Sequence, residues 1–388
     1  MLNNKEKINS VIRSISLVVK NFSKELHEPQ IPQREFFYLN ETLRNNFFML
    51  GPYILKFEKK LSKITGSKNV ISTNTGSSAL HISMKLINVN KSHEILIPTF
   101  HYISSVNAVI NCGGTPHFVD IEEKTLGVDC SKLEKYLNKI AVKKKDKCIN
   151  KKTGKIIKAI IVLHAFGHSA DIENLLIVCK KYNIIIIEDA AEAIGSYYKK
   201  KHLGTYGTIG ILSFNGNKTI SSGGGGAILT NNTKFAQRAR YLISNAKIDH
   251  IWKYSYNEVG YNYRMSNLNA TLGYLQLKYL KKILFEKRNL FKRYKKYFSK
   301  FNFVKVMEEP KKGKSNYWLQ TLILNNDTEY LRDKILLKAN QKNIKLRPAW
   351  ELLHSLEHLK RFPKMNLDNA LKIHKRIINL PSSCYKIK

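Results

Sequence analysis

Residues 184–189 read Ile-Ile-Ile-Ile-Glu-Asp, a run of isoleucines that ends in two carboxylates. A short apolar run of this kind predicts a β-strand that is buried on both faces, as in the parallel sheets of α/β proteins. Helical patterns separate it from four similar runs earlier in the chain, at residues 70–71, 94–97, 116–120 and 159–163. This alternation predicts a largely parallel sheet that is covered by helices.

The length and composition are those of a globular protein with more than one domain. The chain has 388 residues, of which 43% are hydrophobic and 24% charged, so it can bury a large core. We predict an N-terminal segment at 1–50 that docks on the body of the protein, and a large α/β domain at 51–250. A smaller α+β domain is predicted at 251–388, where a long amphipathic helix begins near Leu280.

The charge balance is unusual for a chain of this class. Lys and Arg number 66 against 29 Asp and Glu, which gives a formal net charge of +37. Such a charge can indicate a nucleic-acid or anionic-membrane partner. The basic residues are scattered, however, and no nucleic-acid-binding motif accompanies them. We therefore expect no nucleic-acid or membrane partner, and interpret the charge as surface lysines that aid solubility together with a polyanionic small substrate.

The cysteines and the N-terminal segment favour a cytoplasmic protein. The cysteine spacings include no C-x-x-C pair and no metal-site pattern; the five are Cys112, Cys130, Cys148, Cys179 and Cys384. These spacings predict no metal site, and an odd number of cysteines without a secretion signal indicates reduced thiols in a cytosol. Residues 1–25 are too charged for a membrane span and lack a cleavage site. Residues 143–155, rich in lysine, are predicted to be an exposed loop.

Residues 213–218 read Ser-Phe-Asn-Gly-Asn-Lys and run into a serine and glycine stretch at 221–226. Lys218 thus stands in a tight turn of small residues, unlike the solvated lysine runs elsewhere. A lysine held in this way can form a Schiff base with an aldehyde cofactor. Asp189 could simply cap a helix, but a buried carboxylate needs a cationic partner, which a protonated pyridinium supplies. Lysine and aspartate together indicate pyridoxal 5'-phosphate (PLP) chemistry.

Three further segments are consistent with this interpretation. Gly76 and Ser77 follow the first strand and open a helix, where amides and hydroxyls can bind a phosphate, although a serine there is often only an N-cap. Tyr102 follows the second strand and could stack on a flat ring or pack in the core. His164 ends another strand and is interpreted as a hydrogen-bonded core histidine. Residues 260–270 contain Asn262 and form either a hinge or an anion contact.

Taken together, these segments resemble the DegT/DnrJ/StrS family of PLP-dependent sugar-nucleotide aminotransferases. The resemblance covers nearly the whole chain and depends on Ser-Phe-Asn-Gly-Asn-Lys at 213–218, Glu-Asp-Ala-Ala-Glu-Ala at 188–193 and Gly-Tyr-Asn-Tyr-Arg-Met at 260–265. It implies the fold-type I, aspartate-aminotransferase-like architecture. It also implies a homodimer with shared active sites.

The resemblance also implies roles for individual residues. Lys218 would bond the cofactor aldehyde, and Asp189 would face the pyridine nitrogen. Glu192 would lie near the 3-oxygen, and Tyr102 would stack on the ring. The phosphate would be held by Gly76, Ser77 and Ser213, with Asn262 contributed by the neighbouring subunit. Arg347 and His354 are candidates for contacting the substrate.

Within the family, the chain is most similar to the branch that aminates UDP-2-acetamido-2,6-dideoxy-hexos-4-uloses with L-glutamate as amino donor, in bacillosamine and legionaminic acid pathways. The segments that carry this likeness include residues 26–29, 112–120 and 347–354. Two other acceptors stay open, GDP-4-keto-6-deoxymannose and a 3-keto sugar nucleotide. A related sugar dehydratase carries histidine where Lys218 stands. The alternative from another class is a non-catalytic binding protein of the same fold.

Overall fold

The computed structural model describes residues 2–20, 22–29 and 31–383, so that Cys384 lies outside the described residues. The larger part of the chain alternates strands with helices. The helices are α1 Asn4–Val18, α2 Phe36–Arg44, α3 Tyr53–Thr65, α4 Gly76–Leu86, α5 Ser104–Ile110, α6 Cys130–Ile140, α7 Ile172–Tyr182, α8 Thr233–Ile243, α9 Asn267–Lys278, α10 Leu280–Phe298, α11 Arg332–Gln341 and α12 Asp368–His374.

The strands are short, and those of the main sheet are almost wholly buried. They are β1 Asn69–Thr73, β2 His93–Pro98, β3 Thr115–Val119, β4 Ala141–Lys144, β5 Lys147–Asn150, β6 Ile156–Leu163, β7 Ile185–Asp189, β8 Tyr197–Tyr198, β9 Lys201–His202, β10 Ile209–Ser213, β11 Gly226–Thr230, β12 Val304–Val306, β13 Gly313–Lys314, β14 Gln320–Leu324 and β15 Ile377–Leu380. The five apolar runs identified in the sequence form β1, β2, β3, β6 and β7.

The main sheet has the strand order β1-β11-β10-β7-β6-β2-β3. Neighbouring strands from β10 to β3 are parallel, whereas β11 is antiparallel to both β1 and β10. Because crossover helices cover both faces of such a sheet, its strands can be apolar throughout, which explains the isoleucine run of β7. The predicted mostly parallel α/β architecture is confirmed.

A second, three-stranded antiparallel sheet has the order β12-β14-β15. Its hydrophobic core is shared with α10 and α11, and the apolar side of α1 packs into the same core through Val11, Ile15 and Val18. The long helix predicted from Leu280 is α10. The division at residues 50 and 250 stays a prediction, since α9 packs against α3 beside the main sheet.

The prediction of a loop at residues 143–155 was wrong. Residues 141–150 form a hairpin of β4 and β5, which turns at Lys145 with a φ of 54° and joins the main sheet through β6. The lysines are exposed, but Cys148 and Asn150 are buried between them. The alternation of buried and exposed residues, which is the period of a strand, was hidden by the large number of lysines. In the described part of the chain, no helix is long and apolar enough to cross a bilayer.

Candidate active site

The strand order brings the chemically interesting segments to one edge of the main sheet. Carboxyl ends of parallel strands share an edge, and ligands of α/β proteins bind there. Ile211 of β10 lies opposite Asp189 of β7, and Ser213 and Thr73 both lie opposite Gly226. The loops that follow β1, β7 and β10 therefore meet at this edge, although they are far apart in sequence.

Lys218 projects from the turn after β10 into a largely enclosed space. Its side chain is 14% exposed, and Nζ lies 3.3 Å from Oε1 of Glu192. The indole of Trp318 covers the amine, with Nζ 4.0 Å from the ring centroid. Trp318 also donates from Nε1 to the carbonyl oxygen of Asn217 at 2.7 Å. The amine is thus held between a carboxylate and an aromatic face. The tryptophan that provides this face also hydrogen-bonds the residue before the lysine.

Glu192 is buried beneath this lysine. Its Oε2 accepts a hydrogen bond from the amide of Phe166 at 2.8 Å, and Phe166 adopts a left-handed conformation with a φ of 54°. Burial raises the pKa of Glu192, Asp189 adds to that rise, and the positive charge of Lys218 opposes it. The site therefore holds two carboxyl groups and one amine with little water around them. Burial and neighbouring charges shift pKa values most strongly in such a setting.

Asp189 is buried at the end of β7, with only part of its hydrogen-bonding capacity used. Oδ1 accepts from the amide of Ala191 at 3.0 Å. Oδ2 lies 3.6 Å from Nε2 of His101, which is longer than a hydrogen bond. Nε2 of His101 is itself buried and without a hydrogen-bond partner among the described residues. Burial lowers the pKa of His101 despite the nearby carboxylate.

Gly76 and Ser77 begin helix α4 directly above the end of β10. The side chain of Thr75 caps this helix by accepting from the amide of Ser78 at 3.0 Å. A Cβ on Gly76 would lie 2.9 Å from Cβ of Ser213, so only glycine permits this close approach. Ser77 is exposed and Ser213 is buried. The structure therefore brings the three residues predicted to hold a phosphate to one helix N-terminus, which favours anions.

The aromatic residues after β2 have different environments. Phe100 is fully buried and packs edge-on against Phe166 and Trp350, whereas Tyr102 is 54% exposed. The centroid of Tyr102 lies 6.5 Å from that of Trp350. Core packing thus accounts for Phe100, and Tyr102 is the ring that is available to a ligand.

The remaining predicted residues are exposed or half-buried. Asn262 is exposed and pairs through its main chain with Ser244. Arg347 is also exposed, and its main chain pairs with Asn379 of β15. His354 is half-buried at the end of β2, where Nδ1 lies 2.7 Å from Oγ1 of Thr99 and burial lowers its pKa.

Two residues that lie at the site were not predicted from the sequence. His101 stands next to Tyr102 in a segment already under consideration, but nothing local showed that its ring faces Asp189. Trp318 lies 100 residues after Lys218 and reaches it only through the tertiary fold. His164 was interpreted correctly, because its two nitrogens lie 3.0 Å from Oε2 of Glu188 and 3.2 Å from the amide of Ala170.

The residues at this edge fit PLP. The fit depends on three features of the donor set: an amine in a nearly dry site, a buried carboxylate with one oxygen lacking a close donor, and a glycine that opens a helix next to Ser213. An aldehyde, a protonated ring nitrogen and a phosphate are the groups that these features complement. The fold and the site thus define a PLP enzyme of fold type I.

Comparison with known proteins identifies the family. The model of the DegT/DnrJ/EryC1/StrS aminotransferase family matches residues 29–385, and the chain belongs to this family. EpsN of Bacillus subtilis (strain 168), named as a candidate pyridoxal phosphate-dependent aminotransferase, is 33% identical over 331 residues, which cover 85% of this chain and 82% of EpsN. The GDP-perosamine synthase of Vibrio cholerae is 33% identical over 361 residues, covering 92% and 93%. The protein is a PLP-dependent sugar aminotransferase.

Solved structures agree with the fold. A family member from Brucella abortus superposes with a TM-score of 0.81 at 24% identity and covers 90% of each chain. The aminotransferase PseC of Helicobacter pylori, which is involved in pseudoaminic acid biosynthesis, gives 0.82 at 22% identity and covers 92% of each chain. At these identities the likeness concerns the architecture alone.

Proposed function

We propose that the protein transfers the amino group of L-glutamate to the C4 ketone of a nucleotide-linked 4-keto-6-deoxy sugar, with a UDP-2-acetamido-2,6-dideoxy-hexos-4-ulose as the acceptor. The observation that carries the proposal is the position of the Lys218 amine, 3.3 Å from Glu192 and at the same sheet edge as Asp189. The choice of the UDP-linked sugar is supported by the resemblance of residues 26–29, 112–120 and 347–354 to the branch that uses it.

In this proposal each side chain has a distinct task toward the cofactor. Lys218 would hold PLP through its amine, and Asp189 would keep a proton on the ring nitrogen with Oδ2. Glu192 would lie beside the 3-oxygen, and Tyr102 would stack on the ring. Gly76, Ser77 and Ser213 would bind the phosphate at the N-terminus of α4. When bound, PLP supplies an electron sink for the negative charge that forms on the substrate carbon.

Proton transfer is assigned to Lys218. With PLP and glutamate bound, the Lys218 amine would remove the Cα proton of glutamate as a general base and return a proton as a general acid. Trp318 covers the amine on one side and keeps water away from it. In the half-reaction with the sugar, Lys218 would make the same proton transfers in reverse order, so a single side chain would serve both half-reactions.

The active unit is proposed to be a homodimer. Segment 247–260 precedes Asn262 and exposes four large apolar side chains to more than 70%: Ile251, Trp252, Tyr254 and Val259. Exposed apolar patches of this kind mark protein interfaces. Asn262 is exposed and follows this patch closely in the sequence. If a second copy of the protein covers the patch, Asn262 would lie near the active site of that second copy, as the family resemblance implies.

A second acceptor is favoured by a specific observation. Relatives from Vibrio cholerae and Escherichia coli O157:H7, 33% and 32% identical over 92% of this chain, are named GDP-perosamine synthase. A GDP-linked 4-keto-6-deoxymannose is therefore the alternative substrate.

The test is product identification with a panel of acceptors. Purified protein is loaded with PLP and incubated with L-glutamate and UDP- or GDP-linked 4-keto sugars, and a 3-keto sugar nucleotide is included. We expect a 4-amino sugar from the UDP-linked substrate, detected by mass spectrometry together with 2-oxoglutarate. Preferred turnover of the GDP-linked sugar would replace the proposed acceptor.

The control for the chemistry is Lys218→Ala, which removes the amine and leaves the turn intact. Loss of a nucleophile that is also the acid–base group is expected to lower turnover by about 10⁴-fold or more. A Lys218→Ala protein that aminates sugars at the wild-type rate would refute the assignment of the lysine.

A further inference from the structure

One asparagine side chain joins the two groups that flank the Lys218 amine. Glu192 lies 3.3 Å from Nζ on one side, and the indole of Trp318 covers Nζ at 4.0 Å. Asn316, two residues before Trp318, lies between β13 and β14 and is fully buried. Its side chain hydrogen-bonds the main chain of Glu192 and the main chain of Trp318.

The amide nitrogen of Asn316 is bonded to the segment that carries Glu192. Nδ2 donates to the carbonyl of Glu192 at 2.8 Å and to that of Ile194 at 2.9 Å. It also lies 3.4 Å from Oγ1 of Thr219, the residue that follows Lys218. A side-chain amide has two N–H donors, so the two carbonyls use both of them. The main chain at Glu192 is therefore fixed relative to Asn316.

The amide oxygen of Asn316 is bonded to Trp318. Oδ1 accepts from the main-chain amide of Trp318 at 2.8 Å and closes a turn around the intervening residue, Tyr317. Tyr317 has a φ of 49°, a left-handed conformation that is rare for a bulky side chain and that this turn holds in place. The main chain from which the Trp318 indole extends over Lys218 is thus fixed by the same asparagine.

The orientation of the Asn316 amide is set by its neighbours. The reverse orientation would place Oδ1 against two carbonyl oxygens and Nδ2 against the N–H of Trp318, so only one orientation makes these bonds. The main-chain amide of Asn316 donates to Oγ of Ser196 at 2.9 Å, which fixes it to the segment that follows Glu192. A Cβ on Gly167 would lie 1.8 Å from Oδ1, so the side chain fills the space beside that glycine.

We propose that Asn316 is a positioning residue for Lys218, because its side chain sets the separation of Glu192 and Trp318. The inference rests on the proposed role of Lys218 as the residue that bonds PLP. With both neighbours held, the amine is confined to the space between them and is oriented toward an aldehyde at the same sheet edge. Without the asparagine side chain, Glu192 and Trp318 are free to separate, and the amine gains both room and water.

The test compares two rates in Asn316→Ala that should change in opposite directions. The first is acetylation of Lys218 by acetic anhydride in the cofactor-free protein, measured by peptide mass analysis relative to the exposed Lys234. Because the space around the amine opens, this rate should rise about 3- to 10-fold, the effect of about one lost hydrogen bond. The second is the rate at which PLP bonds to Lys218, measured by trapping with borohydride. Because the amine is less well oriented, this rate should fall about 3- to 10-fold.

Asn316→Ser is the second variant and serves also if Asn316→Ala does not fold. Its hydroxyl is able to accept from the amide of Trp318 but is too short to reach the carbonyls of Glu192 and Ile194. Both rates should change in the same directions as in Asn316→Ala and by a smaller factor.

Asn150→Ala serves as the matched control. Asn150 is also a buried amide: Nδ2 donates to Oε2 of Glu94 at 2.9 Å, and Oδ1 accepts from the amide of Lys152 at 3.0 Å. It lies on β5, beside the start of β6, and so at the opposite end of the main sheet from the Lys218 turn. The substitution should lower the melting temperature and leave both rates at Lys218 within about 2-fold of wild type.

Three outcomes would overturn the inference. In the first, both rates in Asn316→Ala equal those of wild type. In the second, both rates rise together, because that pattern indicates partial unfolding that exposes Lys218. In the third, Asn150→Ala changes the two rates as much as Asn316→Ala does, because loss of stability alone then explains the effect.

Failure of the proposed function is recognised separately. If borohydride fixes PLP to a lysine other than Lys218, the proposed function of Lys218 is wrong. Acetylation involves no PLP, so it still reports whether Asn316 holds the surroundings of the amine. If PLP is fixed to Lys218 but neither rate depends on Asn316, only the positioning role is wrong.

Discussion

Two buried polar clusters lie at opposite ends of the main sheet, and they differ in how completely their groups are bonded. At the amino end, the carboxylate of Glu94 is bonded to Nδ1 of His117 at 2.8 Å, to Asn150 at 2.9 Å and to Thr153 at 2.5 Å. At the carboxyl end, Oδ2 of Asp189 lies 3.6 Å from Nε2 of His101, which is beyond hydrogen-bond distance.

The difference separates a structural cluster from a functional one. Burying a polar group without a partner costs free energy, so native proteins pair such groups unless a ligand completes them. His117 uses both nitrogens, since Nε2 lies 2.9 Å from the hydroxyl of Tyr136. His101 leaves Nε2 without a partner. The incompletely bonded cluster is therefore the one at which we propose that the cofactor binds.

The largest expected effect is on catalysis at the carboxyl end. Asp189→Asn removes the charge that would hold a proton on the cofactor ring and keeps the shape of the side chain. We expect turnover to fall by about 10²- to 10³-fold, the size seen when one electrostatic contact to developing charge is lost. Steady-state kinetics on the loaded enzyme measure this. If turnover is unchanged, the carboxylate has no role in the chemistry. The distinction between a functional carboxyl end and a structural amino end of the sheet would then be wrong.

The next largest effect is on stability at the amino end. Glu94→Ala leaves His117, Asn150 and Thr153 without their shared acceptor, and should lower the free energy of unfolding by about 3 kcal/mol. Urea denaturation of the cofactor-free protein gives this value. Turnover should stay within about 2-fold of wild type. A fall in turnover comparable to that of Asp189→Asn would show that the amino-end cluster is not merely structural.

An effect of similar size on the free energy of unfolding is expected when the pH is lowered. His202 accepts from the amide of Gly195 through Nε2 at 2.9 Å, and burial lowers its pKa to about 4. Since the unfolded chain binds this proton near pH 6.5, stability should be complete above that pH and should fall progressively down to pH 4. The loss should be on the order of 3 kcal/mol. Urea denaturation at several pH values in that range should show that the free energy of unfolding depends less steeply on pH in His202→Gln than in wild type. An equal dependence on pH would contradict the assignment.

The smallest expected effect is from a single bond in the complete cluster. Thr153→Val removes the hydroxyl that donates to Oε1 of Glu94 but keeps the shape of the side chain. Because Glu94 retains His117 and Asn150, the free energy of unfolding should fall by only about 1 kcal/mol. A loss as large as that of Glu94→Ala would mean that the cluster acts as one unit.

Most of the sheet could be predicted from the sequence because its strands are buried on both faces and are apolar throughout. The hairpin at 141–150 could not, since its outward lysines outnumber its buried residues. Lys218, Asp189 and Gly76 were recognisable because their local sequence is unusual. His101 and Trp318 were not, because their positions beside Asp189 and Lys218 are fixed by strand order and by contacts between distant parts of the chain.

The cover that Trp318 forms over the Lys218 amine has a consequence for the order in which the protein matures. The chain is made from its N-terminus, and the main sheet can form before Trp318 has been synthesised. Trp318, which also bonds the carbonyl of Asn217, follows Lys218 only 100 residues later in the sequence. The surroundings of Lys218 are thus completed after the strands of the main sheet have been made.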